Sequence, residues 1–332
     1  MESVFWIVIF PDLETPSGGI KQLHRFAECL RLLNYKVYLV QASATFRHRW
    51  FDSEVPRVSQ ADWDYGRNLD PNSNVIVLPE TFVAQIDQFP PRLPKIIFNQ
   101  NTAYTFGLPS DNGLMSPQLI LSLYLRQDVC AICCVSDYDY SVLTEAYGIP
   151  TERVFLIRNA IEGNLDPDVD PSFSKSICLM KRKNYRDAII VQQLLERLPA
   201  FSGWSFVRIN NMSHHDVLHT LSSSALFLSF GHPEGFGLPI AEALATGTAV
   251  IGYSGLGGRE LFHIGKSFGV CWEIQFGDYH GFISAFKQFN RLLTDDQMKV
   301  ENRLLNASRM VRRFYSMDEM RASVSRLVQF LM

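Results

Sequence analysis

The sequence predicts an α/β protein built from two doubly wound parallel-sheet domains. Three observations carry this expectation. The chain has 332 residues, and at roughly 100–200 residues per domain that length suits two separate cores. The run Val4–Phe10 is continuously β-branched and aromatic, the pattern of a strand buried on both faces. It leads through Ser17-Gly18-Gly19 into a helical pattern, and the same strand-then-helix alternation returns in both halves of the chain.

Each element follows from its pattern. Ile20, Leu23, Phe26, Ala27, Leu30 and Leu33 recur at helical spacing, with Lys21, Gln22, Arg25, Glu28 and Arg31 between them, and Lys36–Val40 then reads as a second strand. Strand, glycine turn, helix and strand form a βαβ unit, whose right-handed crossover implies a parallel sheet. Short apolar runs extend it at Asn74–Leu78, Lys95–Asn99 and Val129–Ser136. After Val154–Ile157 the text becomes polar and rich in turn residues from Arg158 to Pro171, as a linker would be, which places a domain boundary near residue 163. Strands resume at Ser176–Met180, Ser205–Ile209, Ala225–Phe230 and Ala249–Tyr253.

Composition narrows the function classes. Lys and Arg number 31 against 34 Asp and Glu, a net charge of -3, so there is no basic excess to neutralise nucleic-acid phosphates over a broad face. No apolar run approaches the roughly 18 residues of a spanning helix. Val4–Phe10 follows Met1-Glu2-Ser3 without a basic region and ends at Pro11-Asp12, so it reads as a strand and not a signal peptide. Six Cys in such a chain are too sparse for a disulfide scaffold, and reduced thiols fit a cytoplasmic protein.

Ligands of doubly wound sheets sit at the carboxyl ends of strands, so the loops after strands are the places to inspect. The most informative runs from Ser229 to Glu260, SFGHPEGFGLPIAEALATGTAVIGYSGLGGRE. It leaves a strand, passes Pro233-Glu234-Gly235-Phe236-Gly237 and enters a helix with Pro239 in its first turn, where a missing N–H costs least. The glycines and the unpartnered amides of a helix start make a cradle for phosphate or hydroxyl groups. Glu234 lies just before the helix and Glu242 about one turn inside it, so the two carboxylates can read two sets of hydroxyls.

The pattern P-E-G-F-G-L-P-x-x-E-A-L-A-x-G-x-x-V-I-G, followed by Gly257-Gly258-Arg259-Glu260, resembles the signature of the GT-B retaining glycosyltransferases, in particular family 4 (group 1) of the bacterial polysaccharide type. The resemblance implies two Rossmann-like domains facing a central cleft, the first for the acceptor and the second for a nucleotide sugar. It implies that Glu242 bonds the ribose hydroxyls, that Glu234 reaches the donor sugar, and that the amides of Phe236, Gly237 and Leu238 meet sugar hydroxyls or the diphosphate. Gly18 and Gly19, after the first strand, correspond to the family's N-terminal glycine loop at the diphosphate. Lys181, Arg182, Lys183 and Arg186 stand where the family puts an Arg and a Lys on the diphosphate. The family's Gly-Arg and Lys-Gly spacing is not reproduced, so the roles of these four stay unassigned. Such cations and amides would stabilise the charge that develops on a departing nucleoside diphosphate, with no metal and no separate cofactor.

The chain departs from the family at Asn101. Many relatives carry a His at the comparable place, whereas this chain reads Phe98-Asn99-Gln100-Asn101-Thr102. An Asn can donate to a sugar hydroxyl but cannot take a proton. Positional reasoning puts the nucleobase against Asn210–Ser213, with Asn211 and Met212 foremost. In GT-B proteins the terminal helix crosses back to brace the first domain, which gives the expected division 1–163, 164–312 and 313–332.

Other motifs read more simply. Asp137-Tyr138-Asp139 has a metal-site spacing but lies at a helix start, where Asp serves as a cap. Asp166, Asp168 and Asp170 mimic a calcium loop in which Pro171 occupies the glycine position. Cys130, Cys133 and Cys134 lie in a buried-strand pattern, His215 and His219 lack a third ligand, and Gly255-Leu256-Gly257-Gly258 is an incomplete dinucleotide fingerprint.

The expected activity is therefore transfer of a hexose, with a lean towards glucose, from a UDP-type sugar to a saccharide or lipid-linked saccharide. Nucleic acid is not an expected partner. Arg312, Arg313, Arg321 and Arg326 around a terminal apolar face leave peripheral contact with the inner membrane face open. The alternative reading is a non-catalytic nucleotide-sugar-binding subunit or scaffold.

Overall fold

The computed structural model describes residues 3–107, 115–161, 174–180 and 183–331. The chain divides into two compact units, Met1–Ala160 with Met317–Met332, and Ile161–Ser316. Unit 1 holds seven strands: β1 (Val4–Val8), β2 (Lys36–Gln41), β3 (Arg57–Ser59), β4 (Asn74–Pro79), β5 (Lys95–Phe98), β6 (Val129–Cys134) and β7 (Val154–Leu156). They form one sheet in the order β3-β2-β1-β4-β5-β6-β7, and every pairing is parallel. Its helices are α1 (Gly18–Leu32), α2 (Gln60–Trp63), α3 (Pro117–Tyr124) and α4 (Asp137–Ser141).

The central strands are buried on both faces, which explains their uninterrupted apolar text. Phe5, Ile7, Ile76, Leu78, Ile96, Ile97, Ala131 and Ile132 are all 2% exposed or less. In β6, Cys133 and Cys134 are fully buried in the core and Cys130 is half-buried, so these thiols pack as small hydrophobes.

Unit 2 contains β8 (Ser174–Met180), β9 (Ser205–Ile209), β10 (Ser224–Ser229), β11 (Ala249–Gly252) and β12 (Cys271–Glu273), again all parallel, in the order β12-β11-β10-β8-β9. Its helices are α5 (Tyr185–Glu196), α6 (His214–Ser222), α7 (Leu238–Ala245), α8 (Arg259–Ser267), α9 (Tyr279–Asp295) and α10 (Gln297–Phe314). An aromatic layer fills the space between the sheet and α9: Phe230 stacks on Phe282 at 5.1 Å between ring centroids, and Trp204 meets Phe286 edge-on at 5.4 Å while its indole N–H donates to Asn290.

The last helix, α11 (Met317–Leu331), belongs to unit 1. It buries Met320, Val324, Leu327 and Val328, its Phe330 ring lies 4.9 Å from that of Phe155, and Ser323 Oγ accepts from the Arg158 amide. The chain passes between the units at Ala160/Ile161 and at Ser316/Met317, a few residues from the expected 163 and 313. Residues 162–171 of the expected linker, with Asp166, Asp168 and Asp170, lie outside the described residues.

Strand order sets where a ligand can bind. In each sheet the connections run outward in opposite directions from one pair of neighbours, β1 and β4 in unit 1 and β8 and β10 in unit 2. At such a point the loops leave on opposite faces and open a crevice at the carboxyl ends of the strands.

Leu327, fully buried on α11, tests whether this helix belongs to the core of unit 1. Leu327→Ala should destabilise by about 2–5 kcal/mol in urea unfolding. A loss below about 1 kcal/mol would mean that α11 only rests on the surface.

Candidate functional site

In unit 2 the crevice between β8 and β10 contains a pocket lined by residues that include Met180, Lys183, Ser229, Glu234, Gly237 and Pro239. Three of the residues singled out in the sequence, Lys183, Glu234 and Gly237, thus come together at one strand-order reversal. Lys183 Nζ donates to the Pro233 carbonyl at 2.6 Å and sits 3.1 Å from Glu234 Oε2, with both side chains about four-fifths buried. Asn184, with its backbone in the left-handed region, donates from its carboxamide to the carbonyls of Phe230 and His232. The 183–184 turn therefore holds the 230–234 loop at four points. Lys181 and Arg182 lie outside the described residues, and Arg186 is exposed on the first turn of α5.

The loop's shape comes from backbone packing on a second glycine segment. Glu234 N donates to Gly255 O at 2.7 Å and Gly257 N donates to Glu234 O at 3.0 Å. A Cβ on Gly257 would stand 1.9 Å from the Gly235 carbonyl oxygen, so no other residue fits there. Gly255-Leu256-Gly257-Gly258 thus serves close loop packing and is not a dinucleotide site. Gly237 takes φ +87° and ψ +56° at the N-cap of α7, with Pro239 in the first turn. The amides of Phe236, Gly237 and Leu238 carry no hydrogen bond among the described residues, and the dipole of α7 adds positive potential there. The Phe236 side chain points into the core, 4.9 Å from the ring of Tyr315.

Glu242 is 8% exposed, one turn into α7, and its Oε1 lies 2.8 Å from His214 Nε2. Nothing in the sequence pattern marked His214; its neighbour His215 had drawn attention for its spacing to His219, but is exposed. Asn211 is exposed with φ +51°, and Met212 Sδ accepts from Thr220 Oγ1 at 3.8 Å, so both sit in the turn that delivers His214 to Glu242. The far end of α7 is fixed by α10, because Ser308 Oγ and Arg312 Nε both donate to Ala245 O. Arg312 is thereby committed to a helix C-terminus, where its charge complements the dipole.

A buried carboxylate braces α5, the helix that follows the Lys183–Asn184 turn. Asp187 on α5, 9% exposed, accepts from the hydroxyls of Tyr253 at 2.9 Å and Tyr279 at 2.8 Å, joining α5, the loop after β11 and α9. Burial, helped by the hydrogen bond to Asp187 and its charge and opposed by the Gly277 amide, raises the Tyr253 hydroxyl well above its usual range.

Unit 1 presents a different cluster at its own reversal point. Gly18 and Gly19 form the first turn of α1, whereas a loop ahead of the helix was expected. A Cβ on Gly19 would lie 3.1 Å from Gln100 Oε1, so the glycine makes room for the loop after β5. The Gln100 amide donates to Glu80 Oε2 at 3.1 Å. Glu80, just past β4, was not foreseen, because an isolated Glu after a strand carries no pattern. It is 7% exposed, and burial pushes its carboxyl up to about 7, against the pull of the Gln100 amide and its own.

Asn101 is 7% exposed and caps a short 3₁₀ turn, its Oδ1 accepting from the Ala103 amide. Asp139 is fully buried, and its Oδ1 accepts from both the amide and the hydroxyl of Thr102. Burial raises its carboxyl to about 6. Asp137 is exposed instead, 3.7 Å from Arg158, so the two acids of Asp137-Tyr138-Asp139 face apart at the start of α4, which Ser136 caps. Among the described residues no three His, Cys, Asp or Glu side chains are grouped to hold a metal ion.

Comparison with known proteins bears on the fold. No protein-family model matches the chain. A 51-residue stretch, 15% of the chain, is 41% identical to an alpha-1,6-glucosyltransferase of Actinobacillus pleuropneumoniae serotype 7 (strain AP76), and spans only 16% of that protein. Among solved structures, Anabaena HepE in complex with UDP and glucose superposes with a TM-score of 0.70 over 99% of this chain and 100% of HepE, at 12% identity. Sucrose-phosphate synthase from Thermosynechococcus elongatus does so with a TM-score of 0.70 over 99% of both chains, again at 12% identity. The two parallel-sheet units and the returning terminal helix have the GT-B fold of these glycosyltransferases.

Glu80 gives the fold a pH signature. Its folded-state value near 7 exceeds the ordinary 4.5, so between these values the native state keeps a proton that the unfolded chain has lost. Stability therefore falls as pH rises through that window and levels off above it. Glu80→Gln should be close to neutral near pH 4.5 and stabilising by about 3 kcal/mol at pH 8 in urea unfolding. Asp139 leaves a residual slope at lower pH. A mutant curve parallel to wild type would contradict the assignment.

Proposed function

We propose that the protein is a retaining glycosyltransferase that moves a hexose, glucose foremost, from UDP-hexose to a saccharide or lipid-linked saccharide hydroxyl in the cytoplasm, in polysaccharide or glycolipid synthesis. The observation that carries the proposal is the convergence of Glu234, Lys183 and the open amides of α7 at the β8/β10 reversal, with Glu242 one turn further along. The fold shared with a UDP- and glucose-bound structure and the short stretch of glucosyltransferase identity support the donor class.

In this reading the diphosphate lies on the amides of Phe236, Gly237 and Leu238, with Lys183 and Arg186 as cations. These groups need no reorganisation as negative charge develops on the leaving UDP, and preorganised donors of that kind lower the barrier most. Glu242 takes the ribose hydroxyls, and Glu234 takes hydroxyls of the transferred sugar. The loop at Asn211 and Met212 faces the base. In unit 1, the strand-end cluster that holds Gly18, Gly19 and Asn101 is the proposed acceptor side. Family 4 membership and transfer without a metal belong to the same proposal.

One observation favours the second reading, a non-catalytic sugar-nucleotide-binding subunit. Asn101 spends its side-chain oxygen on the Ala103 amide, and no imidazole stands at that position.

Calorimetric titration with UDP in EDTA, followed by UDP release from UDP-glucose, separates the readings. Glu242→Ala should weaken UDP binding about tenfold or more, the worth of hydrogen bonds to a charged group. Glu234→Ala should lower turnover while UDP affinity stays within a few-fold. Small, equal effects of both substitutions would overturn the assignment, and UDP binding without any release of UDP from UDP-glucose would favour the non-catalytic reading.

A further inference from the structure

The contact between His214 and Glu242 has no counterpart in the motif that identified Glu242. His214 is the first residue of α6, and its imidazole Nε2 lies 2.8 Å from Glu242 Oε1, with the two side chains only 12% and 10% exposed. An ionised carboxylate only accepts, so Nε2 carries the proton and donates it towards Oε1. A charge-assisted bond in such a sheltered place constrains both partners.

Both backbones are fixed independently. At the start of α6, Ser213 Oγ accepts from the Asp216 amide at 3.1 Å and donates to Asp216 Oδ2 at 2.7 Å. At its other end, Leu221 O accepts from the buried Thr248 Oγ1 at 2.7 Å, tying α6 to the entry of β11. Thr246 Oγ1 donates to Glu242 O, and the α7 terminus is held from α10 at Ala245 O. The imidazole gives one carboxylate oxygen of Glu242 a fixed partner and so narrows rotation of that side chain. A vicinal diol needs two acceptor positions at fixed orientation, so a carboxylate locked about its torsions pays less entropy on binding than a free one.

We propose that His214 is a positioning residue for ribose recognition: by holding Glu242 Oε1 it presets the carboxylate for the 2′- and 3′-hydroxyls and couples it to the Asn210–Ser213 turn. This rests on the reading of Glu242 as the ribose carboxylate. Discrimination between a ribonucleotide and its 2′-deoxy form should then depend on His214, even though His214 need not touch the nucleotide.

The test measures dissociation constants of UDP and 2′-deoxy-UDP for the full-length protein and for Glu242→Gln, His214→Ala, His214→Asn and His214→Gln, with melting curves as a check on folding. Wild type should prefer UDP by about tenfold or more. Glu242→Gln should lose most of that preference. His214→Ala and His214→Asn should reduce it to about two- to threefold, whereas His214→Gln, whose amide nitrogen can occupy the Nε2 position, should restore it. A preference lost with Glu242→Gln but intact in His214→Ala overturns the role of His214 and leaves Glu242 standing. Equal loss in all three His214 variants, without rescue by Gln, also overturns it. A wild type that binds UDP and 2′-deoxy-UDP equally, or binds neither, refutes the ribose reading of Glu242 and this inference with it.

Discussion

Backbone lies against backbone where Gly257 meets Gly235, at a separation that leaves no space for a single methyl group. The geometry of unit 2's strand-end site depends on this contact. It allows Glu234 to use both its amide and its carbonyl on the 255–257 segment, which fixes the direction in which the carboxylate leaves the loop. It also brings Gly258 close to Gly237, the N-cap of α7. A bulkier residue at 257 would displace the loop by ångströms, and sites that depend on preorganised donors lose their effect over such distances.

The elements of unit 2 around the site are held by polar groups that the core cannot tolerate unpaired. Asp187 is buried, and without its two tyrosine hydroxyls it would incur the desolvation penalty of a bare carboxylate. Satisfied, it joins three elements of unit 2 and sets where α5 begins, which in turn sets Lys183 and Asn184. Ser308 and Arg312 perform the corresponding task at the end of α7. The result is that cation, carboxylates and amides all project from elements anchored at both ends, the arrangement that keeps a binding constellation within its productive geometry.

Much of this was legible in the sequence. Nine strand segments were marked by their text, most of them because strands buried on both faces cannot hide their composition; the edge strand Ser205–Ile209, with only Ile209 buried, was still delimited to the residue. The three-residue edge strands β3 and β12 were not seen: Arg57–Ser59 is only half-buried and needs no apolar run. Glu234, Gly237 and Glu242 were legible because glycine spacing and a helix start leave a local signature. His214, Glu80 and Asp187 were not, since each owes its role to a partner 20 or more positions away, Glu242, Gln100 and Tyr253 respectively. Gly18 and Gly19 were found, but as a loop, because glycine's low helix propensity hid the start of α1, which packing against unit 1's sheet and α11 overrides.

The proposed activity requires a nucleoside diphosphate sugar to bind at the β8/β10 reversal of unit 2. Hydrogen exchange followed by mass spectrometry, with and without saturating UDP in EDTA, addresses it directly. UDP should slow exchange over 230–242, with smaller effects at 183–187 and 210–214. Absence of any protection at saturating UDP, or protection confined to segments away from these loops, would contradict it.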